Sequence, residues 1–106
     1  MVKRFEVYLI NLDDEISDDP KNTRPAVVVS PDEMNANLDH VMIAPIASTR
    51  TPYPTRVETE FLNAKRWVIL DQIRTIDHTR LAKKIGKIDE KTADSVLGLL
   101  AEMFAP

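Results

Sequence analysis

Apolar residues follow two patterns along this chain: short runs or period-two alternation over most of it, and a helical spacing at the C-terminus. Unbroken runs predict strands buried on both faces, and alternation predicts a half-exposed strand. The predicted strands cover 6–12, 26–29, 41–46, 57–61, 67–70 and 83–88. Pro45 removes one backbone donor and predicts an edge or a bulge in the third strand. A turn is predicted over 63–66, and the lysines of the last strand are typical of a sheet edge.

The clearest helix lies at the C-terminus, where Asp89 is predicted to be the N-cap. Its apolar residues recur at helical spacing and are Ala93, Val96, Leu97, Leu100, Met103 and Phe104. Gly98 lies among them although Gly costs about 1 kcal/mol relative to Ala inside a helix. We interpret Gly98 as a site of close packing against another backbone.

Two shorter helical segments are also predicted. Residues 30–33 form a capping-box sequence with Ser30 as N-cap, followed by an apolar stripe of Met34 and Leu38. Asp77 is predicted to cap a single turn over 78–81. These elements predict an α+β fold, a small antiparallel barrel or strongly twisted sheet with the terminal helix packed on it. The length of 106 residues predicts a single domain, 1–106.

Composition and charge narrow the possible functions. The formal net charge of -3 argues against binding nucleic acid by bulk electrostatics. Screening acts over about 8 Å at physiological salt, so a basic cleft is compatible with this overall charge. The chain has no cysteine, which excludes disulfides and thiolate metal sites and fits a reducing cytoplasm. It shows neither a signal-peptide pattern nor an apolar run of the roughly 20 residues that span a bilayer.

An acidic segment over 13–19 lies within the long connection between the first two strands. Loops of that length in a compact domain are often functional. The alternative is a solvated acidic tip without a role, and the sequence leaves both interpretations open.

Several catalytic chemistries have no support in the sequence. His40 and His78 lie in different predicted loops, and we interpret each as a surface residue, although a two-histidine ribonuclease site stays open. The chain has no metal-ligand motif and no G-x-S-x-G elbow. Gly86 and Gly98 are too far apart to form a glycine-rich phosphate loop. No cofactor or metal is therefore expected.

Polar and cationic residues accumulate where the predicted strands begin or end. They are Lys21, Thr23 and Arg24 before the valine strand, Ser48, Thr49, Arg50 and Thr51 after the third strand, and Asp71, Gln72 and Arg74 after the tryptophan strand. If these ends converge, they form a cleft whose guanidinium groups suit phosphate. The alternative is that Arg24 and Arg74 form structural ion pairs with Asp71, Asp77 or the acidic segment.

The same segments resemble the MazF/PemK-type toxins of bacterial toxin–antitoxin modules. The resemblance rests on 6–9, 23–30, 44–46, 70–77 and the C-terminal helix, in one order along nearly the whole chain. The most specific strings are R-P followed by four apolar residues and D-Q-I-R-T-I-D. The resemblance implies an SH3-like small barrel, shared with the gyrase poison CcdB, in a homodimer that a small antitoxin protein neutralises.

The resemblance also implies an activity. Such toxins are sequence-specific, metal-independent endoribonucleases that cut single-stranded RNA, often mRNA. The ribose 2′-OH attacks the adjacent phosphate and leaves a 2′,3′-cyclic phosphate and a 5′-OH. A non-catalytic module of the same fold, either a gyrase poison or a degenerate antitoxin-binding protein, is the alternative function.

The family's catalytic arginine corresponds to Arg24, which would stabilise charge on the scissile phosphate. The family's threonine corresponds to Ala47, which has no hydroxyl, so Ser48 or Thr49 is expected to supply the missing donor. Phe5 replaces a usual glycine, and the acidic segment departs from the family's usual loop. The residues expected to bind RNA are Lys21, Thr23, Arg50, Asp71, Gln72 and Arg74.

Overall fold

The computed structural model describes residues 1–11, 23–48 and 53–106. Seven strands are present in these ranges: β1 Glu6–Asn11, β2 Thr23–Val28, β3 His40–Ala47, β4 Arg56–Phe61, β5 Ala64–Ile69, β6 Arg74–Asp77 and β7 Leu81–Lys87. Two α-helices accompany them, α1 Asp32–Asn37 and α2 Glu90–Met103, with 3₁₀ turns at Leu70–Gln72 and His78–Arg80. No helix of these residues is long and apolar enough to cross a membrane.

The strands form one curled antiparallel sheet in the order β4-β5-β3-β2-β1-β7, and β6 pairs with β3 outside this path. The predicted α+β class, with a barrel-like sheet and a long terminal helix, is confirmed. β7 lies at the sheet edge, as its lysines predicted. Because the sheet curls, the ends of β2, β3 and β5 lie around a common space, which becomes the candidate site below.

β2 is buried on both faces, as its unbroken apolar run predicted. Val27 lies in the cluster that packs under α2, whereas Ala26 and Val28 lie in a second cluster on the other face. All three side chains are fully buried. Such a strand is held rigidly, so the residues at its end have a fixed position relative to the rest of the sheet.

Strand β3 lies inside the sheet, and the edge predicted at Pro45 is limited to a gap between two partner strands. β3 pairs with β2 along one side, where Pro45 lies opposite Ala26. On the other side, β3 pairs with β6 up to Ile43 and with β5 from Ile46 onward. Pro45 lies between these two ladders, where a missing backbone donor breaks no continuous ladder.

The capping box predicted at Ser30 is wrong. Pro31 occupies the N-cap of α1 and no side chain caps that helix. Ser30 is buried, its hydroxyl donates to Asn35 Oδ1, and its Oγ accepts from Met42 N at 3.0 Å. The hydroxyl therefore satisfies a strand amide in the interior, where an unpaired donor costs more than at an exposed helix end. Leu38 is 52% exposed, so the predicted apolar stripe is also wrong at that position.

The hairpin turn and strand β6 also differ from the prediction, and Asp77 is the predicted N-cap residue but makes no capping hydrogen bond. The turn of the β4–β5 hairpin is Leu62–Asn63, both at positive φ, and β5 already begins at Ala64. Strand β6 was not predicted, because Ile76 is its one buried residue. Asp77 does precede a helical turn, but its carboxylate contacts His40 Nε2 at 3.1 Å and gives no side-chain cap.

Helix α2 follows its prediction at the start and departs from it on the outer face. Asp89 Oδ1 accepts from Thr92 N at 2.7 Å, and this hydrogen bond holds the pKa of Asp89 below its usual value. Leu97 and Phe104 were predicted to be core residues, but they are 36% and 72% exposed. A Cβ built on Gly98 would meet no atom within 4 Å, so the close-packing interpretation of Gly98 is wrong. The helix buries one face against the sheet and leaves the other accessible.

Candidate active site

A cavity of about 580 Å³ lies where β2 begins and where β3 and β5 end. Its floor is apolar and is formed by Ile10, Pro25, Ile43, Pro45, Ile46, Ala47 and Ile69. Its polar groups belong to Arg24, Ser48, Arg66, Gln72 and Arg74. The size falls within the range of about 300–1,000 Å³ that is typical of small-molecule sites.

Arg24 reaches the cavity because β2 alternates at its first residues. Thr23 is buried and Arg24 is exposed, opposite Ile10 of β1. The guanidinium Nη1 donates to Thr23 O at 2.8 Å, and Pro25 fixes the next φ. The Arg24 side chain is thus positioned near the start of a rigid strand and remains exposed, so a ligand can reach it.

The other polar groups come from two neighbouring segments. Ala47 is the last residue of β3, and Ser48 follows it at an exposed position. Gln72 ends the 3₁₀ turn after β5, and Arg74 begins β6 opposite Ile43. The predicted convergence of strand ends is therefore present for Arg24, Ser48, Gln72 and Arg74.

Two of the predicted residues lie elsewhere, and three lie outside the described residues. Thr23 is buried and does not line the cavity. Asp71 also lies outside the lining, although its neighbour Gln72 belongs to it. Lys21, Thr49 and Arg50, like the acidic segment over 13–19, are outside the described residues.

The carboxylates proposed as structural partners of Arg24 and Arg74 are engaged with other residues. Asp71 Oδ1 accepts from Thr55 Oγ1 at 2.8 Å and from Arg56 Nε at 3.4 Å. The hydrogen bond from the Thr55 hydroxyl, and then the one from the Arg56 guanidinium, lower the pKa of Asp71 below its usual value. Asp77 contacts His40 instead. The ion-pair alternative is therefore wrong for these two carboxylates.

The histidines do not join the cavity. The His40–Asp77 pair is three register positions from the Ile43–Arg74 pair, which corresponds to about 10 Å along the strand. His40 is exposed as predicted, and His78 is half-buried. No group of His, Asp and Glu side chains in the described ranges is arranged to hold a metal ion. The polar groups in the described lining of the cavity are therefore guanidinium, amide and hydroxyl groups.

Arg66 lines the cavity and was missed by the sequence analysis, which assigned it to a turn. Its Nε donates to Phe61 O at 2.9 Å, and the side chain is half-buried. A usable signal was present in the sequence: Arg66 directly precedes the buried run 67–70, just as Arg24 stands before the run 26–29. With Arg66 and Arg74, three guanidinium groups face the cavity, and its described lining contains no carboxylate.

Three positive charges around one cavity favour the binding of a polyanion. Comparison with known families identifies the family to which the chain belongs. Residues 3–104 match the model of the "PemK-like, MazF-like toxin of type II toxin-antitoxin system" family. The chain belongs to this family. Endoribonuclease EndoA of Bacillus subtilis is 32% identical over 105 residues, which cover 91% of this chain and 88% of that protein. Endoribonuclease MazF of Staphylococcus saprophyticus is 30% identical over 102 residues, covering 91% of this chain and 85% of that protein.

Solved structures of MazF-type proteins share the fold. An endoribonuclease in complex with its cognate antitoxin from a mycobacterial species superposes with a TM-score of 0.84 at 22% identity, covering 100% of this chain and 98% of that one. MazF of the Deinococcus radiodurans MazE-MazF complex gives a TM-score of 0.80 at 22% identity, over 98% of this chain and 95% of that one. At these identities, the likeness establishes the architecture of the curled sheet and terminal helix.

Proposed function

We propose that this MazF-family toxin is an endoribonuclease that cleaves single-stranded RNA, including mRNA, at specific short sequences. The observation that carries the proposal is the cavity, in which three guanidinium groups surround an apolar floor at the ends of rigid strands. Arginine forks bind phosphate oxygens with charge-assisted hydrogen bonds, and an apolar floor accepts the face of a base. The relatives named endoribonucleases support the same activity.

The proposed chemistry is a metal-independent transesterification. The 2′ oxygen forms a bond to phosphorus while the bond from phosphorus to the 5′ oxygen breaks. The 2′-OH loses a proton to solvent and the leaving oxygen gains one, which gives a 2′,3′-cyclic phosphate and a 5′-OH. Arg24 stabilises the charge that builds up on the phosphate, because its guanidinium is already oriented by the hydrogen bond from Nη1 to Thr23 O. Arginine keeps its proton at any physiological pH, which makes charge stabilisation its natural role.

The remaining polar groups have supporting roles in this proposal. Ser48 supplies a donor close to Ala47, where the family's threonine hydroxyl is missing, and Thr49 is a second candidate. Gln72 and Arg74 bind the RNA from the opposite rim. Lys21 and Arg50 extend the contact beyond the described residues.

We also propose that the chain acts as a homodimer in the cytoplasm and is neutralised by a cognate MazE/PemI-like antitoxin. The mycobacterial endoribonuclease was solved in complex with its cognate antitoxin, and the Deinococcus structure is of MazE with MazF. An antitoxin that carries carboxylates into the arginine-lined cavity would compete directly with RNA phosphates.

The proposal is tested by incubating purified protein with long RNA in EDTA and mapping the 5′ ends of the products. Wild-type protein is expected to cut at a defined short sequence. Arg24→Ala is expected to lose at least about 10²-fold in rate, the usual cost of removing one preorganised donor. Lys91→Ala removes the same single charge from a separate groove beside α2 and should cleave normally.

Equal cleavage by wild-type and Arg24→Ala proteins would contradict the assigned role of Arg24. Intact RNA in every buffer, together with tight antitoxin binding, would instead favour the non-catalytic module that Ala47 makes conceivable. A gyrase supercoiling assay identifies the poison form of that alternative.

A further inference from the structure

Arg66 is the least expected member of the cavity, and its position is fixed by the protein. Its Nε donates to Phe61 O at 2.9 Å, which occupies one of the five N–H donors of a guanidinium. Among the described residues, this is the single hydrogen bond of the Arg66 side chain. The four Nη hydrogens therefore make no hydrogen bond to these residues. Anchoring through Nε lowers the entropy that the side chain loses when it binds a ligand.

The strand register places Arg66 beside the position at which this chain departs from its family. Ala47 of β3 lies opposite Trp67 of β5. Ser48 follows Ala47 and Arg66 precedes Trp67, so the antiparallel register brings these two residues together at the end of the ladder. Both line the cavity. A cationic donor group therefore lies one register position from Ala47, where the family's hydroxyl is missing.

Among the described residues, Arg66 has no ion-pair partner, whereas the neighbouring Lys65 has one. Lys65 Nζ contacts Glu58 Oε1 at 3.3 Å, and both of these residues line a different groove. Within the described part of the chain, no carboxylate lies within salt-bridge distance of Arg66. A half-buried cation over an apolar floor is stabilised by an anionic ligand, and a planar guanidinium fits a phosphate best.

We infer that Arg66 binds an RNA phosphate on the Ser48 side of the cavity, distinct from the phosphate at Arg24. This inference rests on the proposed ribonuclease function. Arg66 contributes binding energy, whereas Arg24 acts on the reacting phosphate. Because the contact goes to the backbone, it should be salt-dependent and insensitive to base identity.

The test uses an RNA oligonucleotide that spans a cleavage site mapped with the wild-type protein, with a 2′-deoxy ribose at the scissile position to prevent cleavage. Arg66→Ala should raise its Kd about 10-fold at roughly 0.1 M salt, and the slope of log Kobs against log salt should become about 0.7 less steep. Arg66→Lys should recover most of that slope. With the cleavable RNA, Arg66→Ala should raise KM and leave kcat nearly unchanged.

Two controls separate binding from folding. Lys65→Ala removes one charge from the adjacent position and should leave both Kd and salt slope unchanged, since its partner and groove are different. Arg66→Gln keeps a donor for Phe61 O and removes the charge, so it should show the weaker salt slope with a Tm close to that of the wild type.

The outcomes distinguish this inference from the proposed function. If wild-type protein cleaves RNA and Arg66→Ala keeps its Kd and salt slope, the phosphate contact at Arg66 is excluded. If Arg66→Lys and Arg66→Ala lose affinity equally and both lower Tm, Arg66 is a structural residue and the inference is wrong. If wild-type protein neither cuts nor binds RNA, the proposed function fails first.

Discussion

At the scale of single residues, the first three positions of β2 have different roles: Thr23 and Pro25 hold the strand, and Arg24 carries the charge. Thr23 is buried, Arg24 is exposed, and Pro25 fixes the backbone between Arg24 and the buried Ala26. A charged side chain is stable at the second position because the strand alternation turns it outward. The guanidinium is thereby fixed at the cavity mouth without the large cost of burying an isolated charge.

Ala47 and Ser48 give a prediction at the same scale. If Ser48 supplies the donor that Ala47 lacks, Ser48→Ala should lower kcat by about 10-fold or more while RNA affinity stays nearly constant. Ala47→Thr should raise kcat, because it adds a hydroxyl at the family's usual position. Steady-state cleavage of an RNA containing the mapped site measures both effects. Unchanged rates in both variants would show that no hydroxyl at this end of β3 takes part.

At the scale of elements, strand β3 and helix α2 show how the fold is held together. β3 serves three neighbours by changing partner at Pro45. Helix α2 buries Ala93 and Val96, while Thr92 makes a buried hydrogen bond to Thr59 at 3.0 Å. The outer face of α2 does not contribute to this core, which explains why it tolerates a glycine.

Substitution by alanine is expected to change the free energy of unfolding in opposite directions at Gly98 and Gly86. Gly98→Ala should raise the free energy of unfolding by about 1 kcal/mol, since its Cβ meets no atom within 4 Å and Ala favours the helix. Gly86→Ala should lower it by about 1 kcal/mol or more, because Gly86 has φ +154° and a Cβ there would lie 3.1 Å from the Phe61 ring. Urea denaturation of the two variants measures both. A destabilised Gly98→Ala protein would indicate a contact on the outer face of α2.

Glu6 links β1 to the edge strand and predicts how stability depends on pH. Burial raises the pKa of Glu6. Hydrogen bonds from Lys84, from Lys3 N and from Tyr8 lower it by more than burial raises it, so the pKa lies below the usual value. A carboxyl whose pKa is lowered by folding stabilises the protein above its unfolded pKa, and this contribution is lost as pH falls through the folded pKa.

Glu6→Gln should therefore lower the free energy of unfolding at about pH 7, and the difference from wild type should shrink as pH approaches about 3. Urea denaturation across this range provides the measurement. Glu60→Gln, at an exposed position on β4, controls for the loss of one negative charge. A Glu6→Gln difference that is constant with pH would mean that the ionised carboxylate does not contribute.

At the scale of the whole molecule, local charge and net charge have opposite signs. The chain carries a formal charge of -3, yet three guanidinium groups surround one cavity without a described carboxylate in its lining. Screening over about 8 Å separates this cavity from the acidic remainder of the surface. A protein of negative net charge is thus able to bind a polyanion at one place.

This arrangement predicts the salt dependence of RNA binding. Three phosphate contacts on a single strand should give a slope of about -2 for log Kobs against log salt, at roughly -0.7 per contact. Titration of the 2′-deoxy oligonucleotide at several salt concentrations measures it. A slope near zero would show that the arginines do not contact the backbone. A much steeper slope would indicate that further cationic residues, such as Lys21 and Arg50, also participate.

Part of the fold and part of the site followed directly from residue patterns. The buried run at β2 and the capped start of α2 depend on neighbours in sequence, so local spacing was sufficient. Strand β6 was missed because Ile76 alone faces the core. Ser30 was misassigned because a hydroxyl that satisfies a helix end looks the same in sequence as one that satisfies a distant strand amide. Arg66 was missed because residues 63–66 were assigned to a turn, and its position directly before the apolar run 67–70 was not used.

The sequence by itself determined the class of fold, the rigid strand that carries Arg24 and the membership of a toxin family, because these depend on periodicity and on motifs of adjacent residues. The tertiary structure decided which polar groups share the cavity and which carboxylates are occupied elsewhere. That choice depends on strand register and sheet curvature, since a shift of one residue turns every side chain of a strand to the other face. Register depends on the pairing of segments that are distant in sequence. It places Arg66 beside Ser48 at the end of the β3–β5 ladder. Asp71, by contrast, accepts a hydrogen bond from Arg56.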